Sequence, residues 1–195
     1  MSTNLPGRPR LEALDIVDAC GEPTGQIFDK QTVHEQGLRH RDVHVWITNG
    51  RDLLQQQRHQ DKSIMPGAWD ISVGGHVGAG ESYVDAAIRE SREELGLTIS
   101  RGRLVRLGRV ATQLMLPGWK QAHNIVGDNF AVLVPDLALH ELQPQEEEIQ
   151  DLRWYPIAGL AADLCQPETA LRHAPQPPVL YALGIAGLRG LLAER

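Results

Sequence analysis

The chain has 195 residues, 42% of them apolar, with 19 lysines and arginines against 25 aspartates and glutamates. That length suits one domain, and the apolar share excludes a globally disordered chain. The net charge of −6 and the pI of about 5.7 exclude a dedicated binder of nucleic acid or anionic membrane, so an anionic small molecule must be drawn in by local Arg, Lys or metal.

Residues 1–10 carry two prolines and little pattern, and read as a loose arm; residues 11–195 read as one domain. The arm has no apolar signal core, no apolar run approaches the ~20 residues of a membrane helix, and Cys20 and Cys165 make no disulfide framework. A cytoplasmic protein with no nucleic-acid and no membrane partner is expected. LEALDIVD (11–18) reads as a strand and CGEPTGQ (20–26) as a turn rich in Gly and Pro. DVHVWIT (42–48) alternates, with Val43, Val45 and Ile47 on one face. His44 then faces away and is set aside. Asn49-Gly50 signals a hairpin with 53–58 as its return strand. AWDISV (68–73) is a short strand leading into a glycine-rich turn, and 82–95 is the clearest helix. Strands are expected at 104–113, 129–134 and 149–156, then a helix at 157–164. A last helix at 179–195 suits closure of the core as well as it suits pairing with a partner. The whole reads as an α/β sandwich with a mixed sheet.

The helix at 82–95 has an apolar stripe of Val84, Ala87, Ile88 and Leu95, interrupted by Ser91, and Gly96 is placed to cap it. Glu90, Glu93 and Glu94 crowd a different face, in the last two turns, where the helix dipole disfavours negative charge. Each like-charge pair at i, i+4 costs about 0.2–0.5 kcal/mol. Such a cluster reads either as a solvated face relieved by Arg89 and Arg92 or as a metal site. The preceding Gly74, Gly75, Gly78 and Gly80 favour the second, because glycine backbone lets a ligand approach closely. Hard carboxylate oxygens beside such a loop suit Mg²⁺ or Mn²⁺ with substrate phosphates.

The stretch GHVGAGESYVDAAIRESREELGL (75–97) resembles the Nudix signature. Gly75, Glu81, Arg89, Glu90, Glu93, Glu94, Gly96 and Leu97 fill its positions, and Ser91 is the single departure, at an apolar one. The resemblance implies a Nudix-type α/β/α sandwich that hydrolyses a diphosphate bond in a nucleoside diphosphate derivative or related small diphosphate. It implies that Glu90, Glu93 and Glu94 hold Mg²⁺ or Mn²⁺, with the Gly75 carbonyl a further ligand. Arg89 would orient a glutamate and Glu81 would stand behind the ligands or join them. Dimers are common in the superfamily, and a homodimer stays open.

Residues 30–82 are similar to a narrower branch of that superfamily, the type I isopentenyl-diphosphate isomerases and their nearest Nudix relatives. The features are a Lys, two spaced histidines and QQR…K…PG.W…GH…GES. The resemblance places His34, His40 and His76 at a second metal site, where imidazole suits Zn²⁺ or Mn²⁺ better than Mg²⁺. It places Lys30, Arg58 and Lys62 on the substrate diphosphate. Gly74 stands where the isomerase has its cysteine, and Asn129, with Asp128 adjacent, where it has a later glutamate. Both proton-handling positions differ, so hydrolysis is the expected activity, with isomerisation or non-catalytic nucleotide binding as alternatives. Glu148, Glu147 and Asp128 are candidate general bases. Of the tryptophans, Trp46, Trp69 and Trp154 suit core or rim, and Trp119 is placed to touch a substrate from a loop.

Overall fold

Residues 12–62, 64–115 and 120–193 are described by the structure, a computed structural model. The expected arm at 1–10 and Trp119 lie outside them. In chain order the elements are β1 (Ala13–Val17), β2 (Pro23–Asp29), α1 (Lys30–Gln36), β3 (His40–Thr48), β4 (Asp52–Arg58), β5 (Trp69–Asp70) and β6 (Val73–His76). Then come α2 (Tyr83–Leu95), β7 (Val105–Leu114), β8 (His123–Leu133), β9 (Ile149–Pro156), α3 (Ile157–Leu164), α4 (Pro167–Ala170) and α5 (Pro178–Ala193).

β3 is the spine. All nine of its residues pair in parallel with β8, while β6 runs antiparallel along its other side from Asp42 to Val45. β7 closes one edge against β8. The sheet is therefore mixed, as its sequence pattern suggests. The Asn49-Gly50 hairpin forms, with the Asn49 side chain accepting from the Arg51 and Asp52 N–H groups, but it opens at once: β3 and β4 pair only at Thr48 and Leu53. Ser72 bridges the fork, accepting from the Ile47 N–H (2.9 Å) and donating to the Leu54 carbonyl (2.6 Å). Beyond the fork β4 pairs with β9 and β5 instead. The splayed strands leave a cleft between them.

Alternation along β3 builds a core on each face. Val43, Val45 and Ile47 pack with Phe130 and Val132 under Ala86, Ala87 and Leu95 of α2. Trp46, with Leu53 and Ala131, packs on the opposite face under Leu160 of α3 and Leu180, Tyr181, Ile185 and Leu188 of α5. The last helix thus closes the core. The arrangement is an α/β/α sandwich, and no helix among the described residues is long and apolar enough to cross a membrane.

Four sequence expectations need correcting. The turn expected at 20–26 is confined to residues around Asp18–Glu22, where the Asp18 carboxylate caps two N–H groups, and 23–29 is strand β2. β2 is exposed from Pro23 to Phe28, so it carries no core-facing alternation to read. Helix α1 was not expected: only Val33 of its seven residues is buried, too few for a stripe, and its ends are set by the Asp29 cap and Gly37 at φ +64°. The strand at 68–73 is two strands, broken at Ile71–Ser72 where Ser72 bridges the fork. The strand at 129–134 is the second half of β8, which begins at His123.

Gly184 brings α5 onto the Trp46 ring so closely that a Cβ there would lie 2.2 Å from it. Trp46 is fully buried and has nowhere to go. Gly184→Ala should therefore destabilise the fold by about 1–3 kcal/mol, read as a lower denaturant midpoint with an unchanged m-value.

Candidate active site

The site grows from the two ends of α2. Ser82 caps the N-terminus, accepting from the Asp85 N–H, and Gly96 at φ +67° ends the helix by returning its N–H to the Arg92 carbonyl. Between them Ser91 is buried and donates to the Ala87 carbonyl at 2.7 Å, so the one departure from an apolar stripe is satisfied within its own helix.

This register puts Glu90 directly over Gly75 of β6. A Cβ at Gly75 would lie 2.2 Å from the Glu90 carboxyl carbon, so only glycine admits that approach. One turn on, Glu94 is buried, and Gln56 of β4 donates to one of its oxygens at 2.9 Å. Burial pushes Glu90 up to about 7 and Glu94 well above the usual carboxylate range, each also raised by other carboxylates nearby. Glu93 differs: its carboxylate is about half exposed and lies at the rim, held by Arg89.

Arg89 organises the group. It forks onto both oxygens of Glu81 (2.9 Å each), and donates to Glu90 (2.7 Å), Glu93 (3.0 Å) and the His76 carbonyl (2.9 Å). Glu81 also accepts from the Gly78 N–H and ends below its ordinary pKa, because these bonds outweigh the burial that would raise it.

Beside the carboxylates stands a cluster of imidazoles. His34 from α1, His40 from β3, His76 from β6 and His123 from β8 bring one ring nitrogen each within 4.8 Å of one another. The His34 and His76 Nε2 atoms are 3.1 Å apart. Asp42 adds a carboxylate at 3.7 Å from His40 Nε2, 4.0 Å from His76 Nε2 and 3.8 Å from His123 Nε2. The far nitrogens are set from outside. His40 Nδ1 is 2.9 Å from the Leu38 carbonyl, and His76 Nδ1 is 3.6 Å from Glu12. Each partner favours a proton on Nδ1 and leaves a lone pair on Nε2 facing the cluster. Burial, chiefly, holds the imidazoles neutral: His34 falls to about 4 and His123 to about 3, His76 falls well below the ordinary value, and His40 is lowered too. Burial pushes Asp42 up to about 8. His40 Nε2 and Asp42 Oδ1 are buried with no hydrogen-bond partner. A set of neutral nitrogens and a carboxylate converging on one point fits a divalent transition metal.

Both groups belong to one cleft of about 1190 Å³. Among the described residues, Lys30, Arg58, Lys62 and Arg89 are the Lys and Arg side chains lining it, against eight carboxylates. Each of the four already has a carboxylate partner: Lys30 with Glu12, Arg58 with Asp70, Lys62 with Glu148 and Arg89 with the glutamates above. The cleft is thus too negative to take a diphosphate unless cations join it.

Of the expected site residues, the structure gathers Gly75, Glu81, Arg89, Glu90, Glu93, Glu94, Lys30, Arg58, Lys62, His34, His76 and Glu148 on this cleft, with His40 buried among the histidines. Three are displaced. Asp128 is clamped by Arg106 and Arg109 (2.7–3.3 Å) away from the cleft, and the hydrogen bonds of those guanidiniums hold its pKa down against the effect of burial, so it is no base here. Asn129 accepts from Trp46 Nε1 on the α5 face; the β8 residue beside the histidines is His123, six positions earlier. Glu147 is exposed and does not line the cleft. The sequence reading also missed Asp42, Glu12, Gln56 and His44. The readable signal was there for two: His40, Asp42 and His44 alternate onto one face of β3, and that face is the cleft's floor.

The NUDIX domain family matches residues 38–175. Nudix hydrolase 3 of Arabidopsis thaliana is 32% identical over 148 residues, 74% of this chain but only 19% of that protein's length. Isopentenyl-diphosphate Delta-isomerase of Dinoroseobacter shibae is 31% identical over 152 residues, 76% of this chain and 79% of that protein. Among solved structures, DR0079 of Deinococcus radiodurans superposes with a TM-score of 0.61 at 24% identity, over 88% of this chain and 97% of that one.

Two measurements check the electrostatics. Glu94's folded pKa is raised, so between its ordinary value of 4.5 and that raised value its ionisation costs stability as pH rises. In chelator-stripped protein Glu94→Gln should raise the denaturant midpoint at about pH 8, by an amount that shrinks toward about pH 4.5. Asp42→Asn and His40→Ala should each weaken Zn²⁺ or Mn²⁺ binding by about 10–100-fold in calorimetry.

Proposed function

Because the chain belongs to the Nudix family, through a domain matched across residues 38–175, we propose that it hydrolyses the diphosphate bond of a nucleoside diphosphate derivative or related small diphosphate, using Mg²⁺ or Mn²⁺. The observation that carries this reading is the pair Glu90 and Glu94, buried one turn apart against Gly75 with burial opposing their charge. A divalent cation held by these carboxylates neutralises phosphate charge and lowers the pKa of an attacking water.

The chain's own residues supply the rest. Arg89 fixes the rotamers of Glu81, Glu90 and Glu93 at once. Gln56 orients Glu94 by holding one oxygen and leaving the other. Lys62, Arg58 and Lys30 line the same cleft and receive phosphate oxygens as their carboxylate partners turn to cations. Glu148 lines the cleft 3.0 Å from Lys62, which supports it as the base that would accept the proton of the attacking water. The four histidines and Asp42 form a second cation site in the cleft, whose nitrogen-rich donors favour Mn²⁺ or Zn²⁺ over Mg²⁺.

The histidine cluster and the isomerase-named relative support a second reading, isomerisation of a small diphosphate. Against it, the thiol that chemistry needs has no counterpart: Gly74 occupies the matched position, Cys165 lines a separate apolar pocket behind Ala174–Gln176, and Cys20 lies near Arg109. A non-catalytic nucleotide-binding role is the third.

A product screen separates them. With Mg²⁺ or Mn²⁺ and a panel of nucleoside di- and triphosphates, nucleotide sugars, NADH, ADP-ribose and isopentenyl diphosphate, mass analysis should find phosphoanhydride cleavage that falls on the order of 100-fold or more in Glu94→Gln. Conversion of isopentenyl diphosphate to its isomer would replace the hydrolase reading. Ligand binding without any product would replace it with a binding module.

A further inference from the structure

His44 is a cleft residue whose chemistry nothing above uses. It is 5% exposed, its imidazole makes no hydrogen bond, and its Nδ1 is buried without a partner. His44 lines the cleft, so a polar group of a ligand that enters it can hydrogen-bond an imidazole that the chain leaves without a partner.

On β6 the residue paired with His44 is Gly74; on β8 it is Asn129, with Gly127 diagonal to it. The two glycines make room for the ring itself: Cβ atoms at Gly74 and Gly127 would meet His44 Cδ2 and Cε1 at 3.6 and 3.1 Å. So seated, the side chain lines the cleft. It lies within electrostatic reach of both His123 and Asp70. Asp70 is itself buried and fixed, accepting from the Ile71 N–H (2.8 Å) and from Gln176 Nε2 (3.1 Å) on one oxygen, while the other has only a long contact from Arg58 (3.4 Å). Ile71, Pro175 and Pro177 make the adjoining walls of the cleft apolar.

From this geometry we propose that His44, with Asp70, is a specificity subsite that hydrogen-bonds the group esterified to the diphosphate, and that this group is a ring with polar edges and apolar faces, such as a sugar or a base, rather than a hydrocarbon chain. The inference rests on the reading of the cleft as a diphosphate site. A diphosphate held among the histidines and carboxylates extends naturally over His44 toward Asp70. An alkyl group there would bury the His44 imidazole without a partner and leave the second Asp70 oxygen only its long contact from Arg58. A ring bearing hydroxyl or amide groups satisfies both, and its faces pack on the isoleucine and proline walls.

The test is equilibrium binding with Mn²⁺ present, using ligands that cannot be cleaved. The probes are methylenediphosphonate, the α,β-methylene diphosphates of adenosine, cytidine and uridine, and isopentenyl methylenediphosphonate. In wild-type protein at least one nucleoside analogue should bind more tightly than methylenediphosphonate and than the isopentenyl analogue. His44→Phe, which keeps the ring and removes both nitrogens, should weaken that nucleoside analogue about tenfold and methylenediphosphonate less than twofold. His44→Gln, which restores a polar tip, should recover part of the loss, and it decides the matter if the Phe variant does not melt cooperatively. Equal loss on all probes, loss on none, or preference for the isopentenyl analogue would overturn the assignment. Turnover of the parent compounds is read separately. Selective binding without turnover removes the hydrolase reading and leaves the subsite, whereas turnover with no His44 selectivity removes the subsite alone.

Discussion

Arg89 spends its guanidinium on three glutamates and one backbone carbonyl, and the cleft depends on that arrangement. Without a cation at their centre, Glu81, Glu90 and Glu93 would swing toward water and away from one another. With it, all three are held together, and Glu90 lies against Gly75 of β6. The bond to the His76 carbonyl also ties the helix to the strand that carries a histidine of the second cluster. One side chain thus joins the carboxylate group to the imidazole group. Lysine could not do so, because it lacks the planar set of donors.

That fixing does not neutralise the site. Glu94 takes no hydrogen bond from Arg89 and accepts one from Gln56, with Glu90, Glu148 and Asp70 near enough to oppose its charge. The histidines have been driven neutral by burial, and Asp42 among them is pushed up. The fold therefore stores unfavourable electrostatics in two adjacent places on a sheet that is otherwise conventionally packed. Its apolar cores on the α2 face and the α5 face supply the stability that makes this tolerable. The split between β3 and β4, held open by the Ser72 hydroxyl, is what gives both places access to a common cleft.

Glycine shapes the chemistry of this cleft as much as the charged residues do. Gly75 lets Glu90 lie on the backbone. Gly74 and Gly127 clear the flanks of His44.

The carboxylate helix was legible from sequence because its information is local. The spacing of Glu90, Glu93 and Glu94, the caps at Ser82 and Gly96 and the glycine-rich approach all lie within one helix and the turn before it, where period and spacing translate directly into position. The mixed sheet and most strands were legible for the same reason. Tertiary structure decided what depends on which face of one strand meets which residue of another. His44 was set aside because alternation turns it away from Val43 and Val45, yet the cleft floor lies on that other face. His123 and Asn129 both sit on β8, but only the parallel register with β3 and the direction of each side chain show that the first joins the histidines and the second serves Trp46. Asp128 and Glu148 are equally acidic in sequence; two arginines from β7 remove the first, and the lysine that holds the second keeps it at the cleft. Local patterning therefore determined the elements and the family, while burial, register and charge pairing across strands determined which side chains can act.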